Sequence, residues 1–280
     1  MATKKAVSTT KKAPANSAKR STTRTTVTTA PATATKNTFV GHVQESVRSV
    51  TLWRALAAEF IGTFLLASVV IAGQGQPIFV LFGLAGIVLL VGAVSGAHVN
   101  PAITIGALVT RRIGWLRALG YVVAQCLGAS VAYFTLTAFI GGAAPVSAEA
   151  AAYGQTAASL FAAADVSLLT GKEWYVFFAE LLGTAILGFA IANATREVQD
   201  RVAAAFTAGF GIFIALMVAV SAASYVGGSA IINPAIAIAL QAYSWSWWPF
   251  AIYALAPTIG AVAGFVIYDL VRGRNAVIVK

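Results

Sequence analysis

Ser95-Gly96-Ala97-His98-Val99-Asn100-Pro101-Ala102 and Ile232-Asn233-Pro234-Ala235 decide how this chain reads. The first Asn-Pro-Ala triplet lies in a stretch without Asp, Glu, Lys or Arg that runs from Phe60 to Thr110. The second lies in another such stretch, from Val202 to Tyr268. Each stretch is too long for one membrane helix, which needs roughly 20 apolar residues to cross a ~30 Å hydrocarbon core. In each, the proline stands where a new helix can begin. Two helix starts buried in uncharged apolar sequence fit two short helices that dip halfway into a membrane.

Working outward from the triplets, six apolar runs emerge, at about 52–73, 78–97, 115–140, 174–194, 202–223 and 248–270. Each is long enough to span a bilayer. Between the second and third runs lies Asn100–Thr110, and between the fifth and sixth Asn233–Tyr243. At 1.5 Å per residue, such segments make helices of about 15 Å, half the hydrocarbon thickness. The segments between runs differ in charge. Arg111, Arg112, Arg117, Arg196, Arg201, Arg272, Arg274 and Lys280 fall on the same side as the N-terminus. By the positive-inside rule, that places both termini in the cytoplasm and predicts a multi-pass protein of the plasma membrane.

Composition agrees. The chain has 280 residues, 59% hydrophobic and 10% charged, where a soluble domain carries about 25% charged residues. Its formal net charge of +10 is concentrated at the N-terminal end, because residues 1–54 hold ten Lys/Arg and one acidic residue. The hydrophobic body is therefore nearly neutral and offers no argument for nucleic-acid binding. Residues 1–50, rich in Thr, Ala, Lys and Ser, lack the large apolar side chains needed to fold. They read as a disordered basic tail able to touch anionic lipid, with an organellar transit peptide as the alternative. Residues 51–280 form the membrane domain, with repeat one at about 52–140 and repeat two at about 173–271. The lone Cys126 sits in an apolar run and reads as an inert thiol. With two histidines and no nucleophile–base pair in view, nothing points to an enzyme, a metal or a cofactor.

The body repeats itself. Ala58-Glu59-Phe60-Ile61-Gly62-Thr63 opens the first run and Ala179-Glu180-Leu181-Leu182-Gly183-Thr184 the fourth. Each leads into three spans and one half-helix, so the second copy lies upside down relative to the first, about an axis where a central pathway normally runs. Two half-helices entering from opposite faces bring their N-termini together, each with roughly half a positive charge. Aimed inward, they bar cations and offer donors to water. Asn100 and Asn233 add an amide donor and an acceptor that caps the helix. Pro101 and Pro234 stiffen the helix start, and Ala102 and Ala235 let the triplets approach. Glu59 and Glu180 are intramembrane carboxylates, to be read either as supports for the loops or as a proton relay. Neither has a basic or histidine partner in its own run, which favours support. His98, just before the first half-helix, is expected to support the loop too. Gly260 and Gly264, four apart, permit close helix packing.

These residues bring a family into view. Ala58–Leu66, Ser95–Ala102, Ile232–Ala235 and Ala256-Pro257-Thr258-Ile259-Gly260-Ala261 resemble the major intrinsic proteins, the aquaporins and aquaglyceroporins. The resemblance covers about 52–271. It implies an all-α integral membrane fold of six transmembrane helices and two re-entrant half-helices in an inverted 3+3 repeat. It also implies one pore per subunit, a homotetramer, and glutamates that accept hydrogen bonds from the pore loops, in a channel for water and, where nothing bulky or cationic closes it, small uncharged solutes such as glycerol-like polyols, urea and ammonia.

In that family four residues near the outer mouth set selectivity. Counted from the triplets without gaps, they fall on Val80, Ser221, Ala230 and Ile236. The family usually carries Arg where this chain has Ile236, often His where it has Ser221, and Asp or Ser where it has Ala237. Without the arginine's charge and donors, the constriction is expected to be either wider or a hydrophobic gate. Two competing classes remain at this stage: a secondary transporter, for which the spans lack an Asp or Lys site, and a poorly conducting structural protein.

Overall fold

The computed structural model describes residues 39–197 and 199–273, as helices joined by turns, with no strand among the described residues. The first helix, α1 (Phe39–Arg48), falls inside the 1–50 stretch expected to be unstructured. Phe39, Val43 and Val47 recur at helical spacing there, and the Trp53 indole donates to the Val47 carbonyl at 2.7 Å. The rest of that stretch, residues 1–38, lies outside the described residues. Next come α2 (Val50–Ala72), α3 (Pro77–Ser95), the short α4 (Pro101–Val109) and α5 (Trp115–Gly141). A small helix, α6 (Ala148–Ala152), and a 3-10 turn at Val166–Leu169 lie in the connection to the second half. That half repeats the pattern with α7 (Glu173–Ala194), α8 (Arg201–Ser224), the short α9 (Pro234–Ala239), α10 (Trp247–Phe250) and α11 (Ala256–Arg272). α10 and α11 join through a π-helical turn at Ala251–Leu255 into one span, making six helices among the described residues that are long and apolar enough to cross a membrane.

Lipid tails are as apolar as leucine, so close backbone approach must bind these helices together. It does so twice, by the same device. In repeat one, α5 crosses α2 where Gly128 lies against the Phe60 carbonyl and Phe64 amide. In repeat two, α11 crosses α7 where Gly260 lies against the Leu181 carbonyl and Ala185 amide, and Gly264 continues the contact one turn on. A Cβ at Gly128 or Gly260 would overlap the neighbouring backbone.

Pro257, just after the π-helical turn of the last span, has no N–H to give the Tyr253 carbonyl. The Tyr243 hydroxyl takes over, donating to that carbonyl at 3.0 Å, and it also reaches the Pro234 carbonyl at 3.3 Å. One side chain thus ties the last span to the second half-helix.

An alanine at Gly260 is expected to cost about 1–3 kcal/mol by overpacking. Gly86, with open space around its Cα, should accept alanine without loss. Unfolding midpoints of the two purified variants in detergent check this contrast.

Candidate functional site

Both half-helices begin alike. Asn100 and Asn233 are extended (φ −158° and −150°) and cap the helices that follow, with Pro101 and Pro234 at the first helical position. Asn100 Oδ1 accepts from the Ala102 amide at 2.9 Å and the Ile103 amide at 3.4 Å. Asn233 Oδ1 accepts from Ala235 at 3.0 Å and Ile236 at 3.4 Å. Each amide nitrogen then reaches across to the other repeat. Asn100 Nδ2 donates to the Ile232 carbonyl and Asn233 Nδ2 to the Val99 carbonyl, both at 2.9 Å. An asparagine amide has two N–H donors, so this reciprocal brace engages one and leaves one.

The ends also match. Arg111 and Gln241 adopt left-handed conformations, and the following amides, of Arg112 and Ala242, reach back to the Ala107 and Ala237 carbonyls. This is the Schellman helix stop. It ends α9 at six residues, about 9 Å, shorter than the Asn233–Tyr243 segment expected.

The residues before each asparagine are strained. Val99 (φ 43°) and Ile232 (φ 51°) are β-branched residues in the left-handed region, a conformation that costs on the order of 1–3 kcal/mol and persists only when its surroundings over-determine it. Here the two buried glutamates do so. Glu59 accepts from the His98 amide at 3.0 Å through Oε1 and from the Val99 amide at 2.7 Å through Oε2. Glu180 accepts from the Ile231 amide, and from the Ile232 amide at 2.8 Å. Both carboxylates are fully buried. The ion pairs among the described residues involve only Asp269 as the acid, so neither glutamate faces a cation.

Repeat one carries an extra polar layer. Gln125 Nε2 donates to Glu59 Oε2 at 2.8 Å and to Thr104 Oγ1 at 2.9 Å, and His98 Nδ1 lies 3.3 Å from the same hydroxyl. Counted from the triplets, the partners of His98 and Thr104 in repeat two are Ile231 and Ala237; counted from Gly128 and Gly260, that of Gln125 is Pro257. The second layer is therefore apolar, and Glu180 keeps only its two backbone donors. Gln125 could have been found in the sequence as an amide amid an otherwise apolar run. Both layers keep a tyrosine: Tyr121 donates to the Ser95 carbonyl and Tyr253 to the Ser229 carbonyl.

Two cavities flank this centre. The one at the ends of the spans opposite the start of α2, termed the outer cavity, has a volume of about 250 Å³ and is lined by Val80, Ala230, Ile236 and Asn233 among others. The inner one, about 350 Å³, is lined by Gly96, Ala97, Ala204 and Ala208 among others. A single stripe on α8 joins them: Ala204 and Ala208 line the inner cavity, and Ile212, Leu216 and Val220 the outer one. At four-residue steps the stripe covers about 24 Å. Among the described residues, the carbonyls of Ala97, His98, Ala230 and Ile231 accept no hydrogen bond within the chain. Such free backbone is tolerated at membrane depth only where it is buried in protein or lines a watery cavity, and Ala97, Ala230 and Ile231 line the two cavities.

Of the four expected selectivity positions, Val80, Ala230 and Ile236 share the outer cavity, with Val80 turned inward while Phe79 and Phe82 point out. Ser221 is the exception. It is exposed on the outer surface of α8, and Val220 faces the cavity instead. One residue turns a helix by about 100°, so a one-residue error in gapless counting moves a side chain off the stripe. Phe161, from the connection between α6 and α7, is the only aromatic side chain on the cavity lining among the described residues and was not anticipated from the sequence. Among the described residues no Asp, Glu, Lys or Arg lines this cavity.

At its far end α4 is anchored by Arg112. Its guanidinium donates to the Ala192 carbonyl and the Thr195 hydroxyl, both at 3.0 Å, and to Asp269 at 2.7 Å. Arg196 reaches the same carboxylate oxygen at 2.8 Å. Burial lowers the Arg112 pKa from its ordinary value and Asp269 opposes that shift.

A six-span, two-half-helix body with a cavity on either side of the paired triplets is the architecture of a membrane channel. The profile of the major intrinsic protein family matches residues 46–268, and the chain belongs to that family. It is 29% identical over 242 residues to Aquaporin NIP1-1 of Zea mays, covering 82% of this chain and 78% of that one. It is 35% identical over 222 residues to Glycerol uptake facilitator protein-like 6 of Lactiplantibacillus plantarum, covering 75% and 94%. The fold matches the X-ray structure of the aquaglyceroporin from Plasmodium falciparum with a TM-score of 0.59 at 21% identity, over 80% of this chain and 98% of that one. At family level this is a multi-pass channel for water and small solutes, not an enzyme.

Two variants test the site. Glu180→Gln turns an amide donor toward a backbone N–H and should cost about 1–3 kcal/mol, read as a lower unfolding midpoint. Asp269→Ala leaves two partly exposed guanidinium groups unpaired and should cost about 1–3 kcal/mol, discounted for solvent screening, by the same measurement.

Proposed function

We propose that the chain is a passive pore for water and small uncharged solutes, including glycerol-like polyols, urea and ammonia, with a selectivity region that lacks arginine. The observation that carries this reading is the outer cavity, whose lining holds Ile236 directly after the second triplet and no charged side chain. Apolar walls at Val80, Val220, Ala230 and Ile236 leave solute hydroxyls to the free carbonyls and to the polar side chains of the lining, Asn233, Ser229, Gln74 and Gln76. Cation and proton exclusion then rests on the two half-helix N-termini at Asn100 and Asn233, whose aligned dipoles repel positive charge. In this reading Glu59, Glu180 and His98 are loop supports rather than a relay.

The reading extends to the whole protein. Residues 51–280 act as the channel domain, and the subunits assemble as homotetramers through apolar outer faces such as those of Phe210 and Ile214 on α8. Both termini lie in the cytoplasm, the membrane is the plasma membrane, and the basic N-terminal tail contacts anionic lipid.

Stopped-flow measurements on proteoliposomes test the proposal. Wild type should pass water, glycerol and urea without saturation. Ile236→Arg should lower glycerol and urea flux about tenfold, equivalent to 1.4 kcal/mol of barrier. Water flux with glycerol and urea excluded in wild type would instead indicate a hydrophobic gate, and saturable, gradient-coupled uptake would indicate a transporter.

A further inference from the structure

We infer that Phe161, carried by the segment between α6 and α7, sets the upper size limit of solutes that enter the pore. This rests on the passive-pore reading above and locates its selectivity outside the four expected positions. The segment is tied down on the repeat-two side of the outer cavity. There the Ala163 amide donates to the Leu240 carbonyl at 3.1 Å, just past α9, and the Ala164 amide donates to Ser229 Oγ at 2.9 Å, just before the second triplet. The Phe161 ring then reaches the repeat-one side. Its Cε1 and Cζ would lie 2.7 Å from a Cβ at Gly75, in the turn between α2 and α3. Gly75 is left-handed (φ 67°), and the absence of a side chain lets the ring come up to the backbone.

The strap therefore contacts both repeats, with the Phe161 ring in the cavity wall between them. The side chains at the other selectivity positions, Val80, Val220, Ala230 and Ile236, are small or branched aliphatics on the same lining. A rigid ring held at both edges excludes by shape, while its apolar face suits the C–H faces of short, linear polyols. Solutes of glycerol size fit beside it; longer or branched polyols meet the ring.

The test is a graded series, Phe161→Trp, Phe161→Leu and Phe161→Ala, with Leu168→Ala as a control on an exposed side chain of the same connection. Proteoliposome permeability is measured for water, glycerol and xylitol. The expected result is a rise in xylitol permeability of about fivefold or more for Phe161→Ala, a smaller rise for Phe161→Leu, and none for Phe161→Trp or Leu168→Ala, a fivefold change being about 1 kcal/mol of barrier. Water flux should stay within about twofold of wild type throughout the series, which also reports correct folding. Unchanged xylitol exclusion in Phe161→Ala, with water still flowing, overturns the assignment of Phe161 and leaves the passive pore standing. Absence of water flux in wild type and in every variant overturns the passive-pore reading itself.

Discussion

Irregular backbone at the middle of a bilayer has no water to satisfy it except along a pore, and this chain meets that constraint with two buried carboxylates. Glu59 and Glu180 each collect two successive backbone N–H groups from the residues before an Asn-Pro-Ala triplet. That grip holds Val99 and Ile232 left-handed, and the left-handed turn aims their carbonyls at the opposite asparagine. Everything central follows from it. The half-helices start where they do because their caps are held, and they meet because each asparagine donates to the other repeat. Acceptor capacity buried in this way is costly when unpaired, so the loops and the glutamates stabilise one another or neither is stable.

Two-fold repetition accounts for most of the architecture, and its breakdown is as informative. The helix crossings at Gly128 and Gly260, the caps, the helix stops and the tyrosines at Tyr121 and Tyr253 are all duplicated. The layer behind the first loop is polar, through His98, Thr104 and Gln125, whereas the second is apolar, through Ile231, Ala237 and Pro257. The outer cavity belongs to the apolar side. Among the described residues its wall is uncharged, with Ile236 directly after the second triplet, and the connecting segment contributes Phe161 and Ala163 to it. Selectivity in such a wall depends on shape and on carbonyl acceptors more than on fixed charge.

Much of this was legible in the residue order. Six spans followed from run length, because a bilayer of fixed thickness demands it. The two half-helices followed from prolines set in uncharged sequence, and the supporting glutamates from the cost of carboxylates in a span. Three things were not legible. Ser221 was placed on the pore by counting, although α8 turns it outward and presents Val220. Helix α1 lay hidden in a tail whose average composition is polar, since averaging over 50 residues masks a ten-residue periodic segment. The partners of Gln125 were the third, since an amide visible in an apolar span gives no local sign that Glu59 and Thr104 receive it.

What the sequence determined by itself is the local part: which segments cross the membrane, where helices start and stop, and that the body is doubled. These rest on run length, capping and periodicity, all of which are properties of neighbours along the chain. Only the tertiary structure decided which face of each helix meets the cavity, that the two asparagines brace each other across 133 positions of sequence, and that Phe161 stands at the outer mouth. These depend on close approach between segments far apart in sequence, where a rotation of one residue or a contact through a loop changes the lining without changing any local pattern.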